Sequence, residues 1–113
     1  MDLDIRQSSP TCTLKIKGPF KSNDTPDFEA ALESALSSGC LYLILDLEQV
    51  PFIDSSGIGA VVGALRRTRQ LGGDTRLVNP SSFATKTFKM VGILSLFTVL
   101  PTEEEAIASC RGA

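Results

Sequence analysis

Asp54-Ser55-Ser56-Gly57 sets a carboxylate, two hydroxyls and a glycine in consecutive positions. The block lies between the apolar pair Phe52-Ile53 and a stretch with helical spacing that begins near Gly57. Side chains at such a junction meet the unpaired N–H groups of a first helical turn and the positive end of its dipole. Three kinds of chemistry use that position. A carboxylate or hydroxyl, here Asp54 or Ser55, caps the free N–H groups. A glycine-rich turn binds the phosphates of a nucleotide. A serine hydroxyl accepts a phosphoryl group, adding roughly two negative charges where the backbone tolerates them.

The nucleotide chemistry fits poorly. Gly57-Ile58-Gly59-Ala60-Val61-Val62-Gly63 contains G-x-G-x-x-x-G, but the dinucleotide fingerprint needs its first glycine directly after a strand. The preceding apolar run ends near Leu47, ten residues before Gly57. No Lys-Ser or Lys-Thr pair follows the glycines, so the P-loop spacing fails as well. The chain has no histidine, which removes Ser-His-Asp and Cys-His nucleophile activation, His-ligated zinc and the commonest general base. An enzyme is therefore disfavoured, and no cofactor or metal is implied.

Bulk properties narrow the class further. A length of 113 residues with 42% hydrophobic and 21% charged content fits one globular domain, residues 1–113, around one core. A net charge of −2 gives no electrostatic footprint for direct nucleic-acid binding. Cys12, Cys40 and Cys110 are odd in number and lack C-x-x-C spacing, so free buried thiols in a reducing cytosol are expected. Met1-Asp2-Leu3-Asp4-Ile5-Arg6 has neither the basic nor the apolar region of a signal peptide. Apolar stretches fall short of the ~20 residues that span a bilayer. A cytoplasmic monomer without a membrane span is expected.

The elements that must position the block read as follows. Residues 3–7 and 11–17 are short strands, the second alternating polar and apolar, with a turn at Ser8-Ser9-Pro10. Residues 20–26 are turn-rich. A helix runs from about Pro26 to Ser38, with Thr25 as N-cap and Gly39 as C-cap. Leu41–Leu47 is nearly continuous apolar sequence, as in a central strand buried on both faces. Residues 57–71 form a second helix, its stripe Ile58, Val61, Val62, Leu65 and Leu71 facing the core and its small residues Gly59, Ala60, Gly63 and Ala64 admitting the sheet closely. Arg66, Arg67 and Arg69 end it, either as a solvated helix end or as a contact for an acidic partner. Thr75–Asn79 is a strand, and residues 82–91 a helix with Phe83, Thr87, Phe88 and Val91 at helical spacing. Residues 96–100 form a last strand, and a helix with an acidic first turn ends near Cys110. The order ββαβαβαβα implies an α/β domain.

Leu43-Ile44-Leu45-Asp46-Leu47, followed by Val50-Pro51-Phe52-Ile53-Asp54-Ser55-Ser56-Gly57-Ile58-Gly59-Ala60-Val61-Val62, resembles the anti-sigma factor antagonists of the STAS domain family. The resemblance continues through Gly72-Gly73, Leu77-Val78-Asn79-Pro80-Ser81, Met90-Val91-Gly92-Ile93, Leu96-Phe97 and Glu103-Glu104-Glu105-Ala106. It implies a STAS fold: a mixed sheet of about five strands with about four α-helices. It also implies a non-enzymatic partner-switching protein. Unphosphorylated, such a protein binds an anti-sigma factor serine kinase of the GHKL type and frees the sigma factor; a PP2C-type phosphatase restores the free hydroxyl after phosphorylation. By motif position Ser56 is the acceptor, with Asp54, Ser55, Gly57 and Ile58 shaping the partner-binding surface. Where the family often carries Gly-Glu-x-Asp after the second strand, this chain has Gly18-Pro19-Phe20-Lys21. Lys21 either brings positive charge to a phosphorylated Ser56 or points to solvent. STAS domains also serve as adaptor subunits of stress-signalling or lipid-transport complexes, in which no serine is switched.

Overall fold

Alternating and apolar segments become strands largely where the pattern expects them. The computed structural model describes residues 1–111. Its elements are β1 (Asp2–Ser8), β2 (Thr11–Lys17), α1 (Thr25–Ser37), β3 (Tyr42–Gln49), α2 (Ser55–Gln70), β4 (Asp74–Val78), α3 (Ser82–Met90), β5 (Val99–Leu100) and α4 (Glu103–Cys110). The five strands form one sheet in sequential order. β1 is antiparallel to β2, whereas β2, β3, β4 and β5 run parallel. The parallel strands therefore all end at one edge of the sheet, and α2 and α3 begin there.

β3 holds the middle of the sheet, which explains its unbroken apolar run. Leu43, Leu45 and Leu47 belong to the main core with Leu14, Phe28, Leu32, Val61, Leu65, Leu77 and Phe88. Ile44, one step out of phase, faces the opposite way and joins Val78 and Ala106 of α4. Helices α1 and α2 thus cover one face and α4 the other. Each fully buried Leu or Phe contributes on the order of 1.5–3 kcal/mol. Among the described residues no helix is long and apolar enough to cross a membrane.

Several local expectations change. The loop over 20–26 contains a 3-10 turn at Ser22–Asp24, and Thr25 already belongs to α1, so Thr25 is not the N-cap. Asp24 takes that position without a side-chain capping bond. A second 3-10 turn at Leu94–Leu96 delays β5 to Val99. Leu71, assigned to the core stripe of α2, is half exposed, while Thr68 lies fully buried one turn earlier. The Thr68 hydroxyl reaches Ala64 O at 2.9 Å and Thr75 Oγ1 at 2.8 Å, so a polar side chain is satisfied inside the core. The free-thiol expectation holds only for Cys110. Cys12 and Cys40 are joined as a disulfide, with Cα atoms 5.9 Å apart, because β2 and the residue leading into β3 run side by side.

Candidate functional site

Asp54 is the N-cap of α2. Its Oδ1 accepts from Gly57 N at 2.9 Å, which places Ser55 and Ser56 at the first two helical positions. The helix begins two residues earlier than its apolar periodicity indicates because a capping bond, invisible to that periodicity, fixes its start. Between the two readings of the cap, Asp54 or Ser55, the geometry selects Asp54.

The second oxygen of Asp54 does what no local pattern signals. Oδ2 accepts from Ser22 N at 3.0 Å, tying the start of α2 to the loop after β2, 32 positions away. Three backbone bonds reinforce that tie. Phe20 N donates to Phe52 O at 2.9 Å, Asp54 N to Phe20 O at 3.2 Å, and Gly18 N to Gln49 O at 2.9 Å. Phe20 and Ile53 form an isolated parallel bridge, and both side chains are buried. Two loops are thereby clamped into one surface.

Gly57 is buried at this clamp. A Cβ there would lie 2.6 Å from Phe20 O and 2.7 Å from Ile53 Cγ1. The loop can approach only because position 57 lacks a side chain. Gly59 and Gly63, by contrast, have nothing within 4 Å of an added Cβ. They border a cleft of about 290 Å³ beside α1, with Glu29, Leu32 and Arg67, rather than admitting the sheet.

Ser55 and Ser56 are both exposed, and neither hydroxyl has an intramolecular partner among the described residues. Ile58 is half-buried and packs on the main core. Lys21 is exposed with extended backbone. Its N–H donates to Asp24 Oδ2 at 2.9 Å, which holds the Asp24 carboxyl below its ordinary pKa, with the Met1 ammonium assisting. The Lys21 backbone therefore sits beside the Asp54 cap. The Lys21 side chain makes no ion pair among the described residues.

The arginines of α2 have separate duties. Arg67 pairs with Glu33 of α1. Arg69 donates to Asp74 Oδ1 at 3.1 Å and to Leu96 O at 2.8 Å. Arg66 alone of the three projects as a solvated helix-end cation without an ion pair among the described residues. One further feature escaped the periodicity. Phe83, at helical spacing with Phe88, is exposed, and its ring meets that of Phe52 at a centroid distance of 5.2 Å. In its place Ala84 fills the core beside Phe88.

The STAS domain family model matches residues 2–106. The chain belongs to the STAS domain family. It is 33% identical over 103 residues to the anti-sigma F factor antagonist of Lysinibacillus sphaericus, covering 90% of this chain and 87% of that protein. The anti-sigma factor antagonist SpoIIAA in its unphosphorylated form superposes with a TM-score of 0.85 at 28% identity, covering 99% of this chain and 98% of that one. The phosphorylated form of the Bacillus cell fate determinant SpoIIAA matches with a TM-score of 0.78 at 28% identity, over 97% of this STAS chain and 100% of the other. The mixed five-stranded sheet with four helices is the fold the sequence resemblance implied.

Proposed function

We propose that this single-domain STAS protein is a cytoplasmic, monomeric anti-sigma factor antagonist whose switch is Ser56. The unphosphorylated chain binds a GHKL-type anti-sigma serine kinase across the surface formed by Lys21, Asp54, Ser55, Ser56, Gly57 and Ile58, and so releases the sigma factor. The kinase then phosphorylates Ser56 and the complex dissociates. A PP2C-type phosphatase restores the hydroxyl. The chain acts as ligand and substrate.

One observation carries this reading. Ser56 Oγ is exposed and unengaged at the second position of α2, while both Asp54 oxygens are committed to holding the helix start. Capping falls on Asp54 and leaves the hydroxyls of Ser55 and Ser56 free, and motif position in the family favours Ser56 as the acceptor. A phosphate on Ser56 adds about −1.5 to −2 charge beside the positive end of the helix dipole, so the isolated fold accommodates it. Pressed into an interface without a cationic partner, the same charge must be desolvated, and affinity falls. The likeness to SpoIIAA in both its unphosphorylated and phosphorylated forms supports a switch that works without refolding.

The test is mass spectrometry after incubation with the purified cognate kinase and ATP, paired with a binding titration. Phosphate is expected on Ser56 alone, with Ser56→Ala binding permanently and Ser56→Asp binding weakly. Phosphate on Ser55 instead, or equal binding by wild type and Ser56→Asp, overturns the reading.

A further inference from the structure

We propose that Phe52 and Phe83 together form an apolar anchor on which the anti-sigma kinase docks beside Ser56; this rests on the function proposed above. Of the six phenylalanines, Phe20, Phe28, Phe88 and Phe97 are at most 7% exposed, whereas Phe52 and Phe83 are 42% and 38% exposed. The two exposed rings, one from the loop before α2 and one from the first turn of α3, meet each other at the surface, 5.2 Å between centroids and tilted by 41°. Aromatic side chains left in water as a contiguous pair are the type that dominates binding energy once covered.

The pair is held rigidly. The Phe52 carbonyl accepts from Phe20 N at 2.9 Å. Ser81 caps α3 by accepting from Ala84 N at 3.1 Å, and its hydroxyl donates to Val50 O at 2.5 Å. Ser81 N also donates to Leu47 O at 3.1 Å. The start of α3 and the segment leading to Phe52 are thus bonded to each other, so little conformational freedom is lost on association.

Position names the occupant. Phe52 lies four residues before Ser56, within about 14 Å even for a fully extended chain. Phe83 holds the second position of α3, as Ser56 does in α2, and both helices start at the edge where the parallel strands end. A protein that reaches the Ser56 hydroxyl from solvent approaches this edge, where α3 with Phe83 also begins. The fitting partner surface is an apolar pocket next to the kinase's phosphoryl-transfer site.

The experiment measures steady-state phosphorylation of Ser56 by the purified cognate GHKL-type kinase with ATP, for wild type, Phe83→Glu, Phe52→Ala and Met90→Glu. Phe83→Glu puts an acidic residue in a first helical turn, where the dipole favours it, so folding is retained; thermal melting checks this. Met90, 84% exposed at the far end of α3, is the control. Phe83→Glu and Phe52→Ala are expected to raise KM at least about tenfold, as loss of a hot-spot side chain does, with kcat little changed and Met90→Glu like wild type. Wild-type KM in both phenylalanine variants, with Ser56 still phosphorylated, overturns the anchor and leaves the switch standing. Failure of the wild type to be phosphorylated on Ser56 overturns both.

Discussion

Replacing Gly57 by alanine puts a methyl carbon 2.6 Å from the Phe20 carbonyl oxygen and 2.7 Å from Ile53 Cγ1. Neither neighbour yields easily. The Phe20 carbonyl accepts the Asp54 N–H at 3.2 Å, and the Ile53 side chain is buried. Forcing a methyl group into such a contact costs about 1–3 kcal/mol. Alanine in a helix recovers up to about 1 kcal/mol relative to glycine. With backbone and a buried side chain as the neighbours, overpacking falls toward the upper end of its range and outweighs propensity, and Gly57→Ala is expected to lose up to about 2 kcal/mol. Gly59→Ala and Gly63→Ala meet nothing within 4 Å, so each should gain about 0.5–1 kcal/mol from propensity alone. Two substitutions of the same kind, two residues apart, should move stability in opposite directions. Equilibrium urea unfolding reads this directly, with midpoints falling for Gly57→Ala and rising for Gly59→Ala at unchanged slope. A Gly57→Ala protein as stable as wild type, or a destabilised Gly59→Ala protein, would refute the reasoning about which glycine the clamp requires.

Two further outcomes follow from the same geometry. Asp54→Ala removes the acceptors of both Gly57 N and Ser22 N, so a loss of about 1–2 kcal/mol is expected, together with faster hydrogen exchange at the Ser22 amide; unchanged exchange there would mean that the two loops are held otherwise. The Cys12–Cys40 bond closes a loop with a sequence separation of 28, for which chain entropy gives about 3.6 kcal/mol. Dithiothreitol should therefore lower the melting temperature of wild type and leave a Cys12→Ser/Cys40→Ser protein unaffected, whereas equal melting of wild type with and without reductant argues against a stabilising bridge.

Much of the fold was legible because strand and helix periods are local. The β3 run Leu43-Ile44-Leu45 could be only a doubly covered strand, and it occupies the centre of the sheet. Periodicity failed where a face is apolar but uncovered. Phe83 and Leu71 match core spacing, yet both stay exposed at the surface, while Ala84 and Thr68 lie inside. It failed again at Cys12 and Cys40, since composition reports a count of thiols and only strand pairing reports that two of them adjoin.

The sequence by itself determined that a carboxylate, two serines and a glycine stand at a helix start, and that without histidine the chain lacks the usual means of activating a nucleophile. It also carried enough resemblance to single out Ser56. Tertiary structure decided the division of labour within the block. Asp54 caps because the loop after β2 brings the Ser22 N–H to its second oxygen. Gly57 is required because Phe20 lies where a side chain would be. The hydroxyls of Ser55 and Ser56 remain free because Asp54 has taken the capping. Those choices depend on residues more than thirty positions away, and hydrogen bonds and steric exclusion across such a separation exist only once the chain has folded.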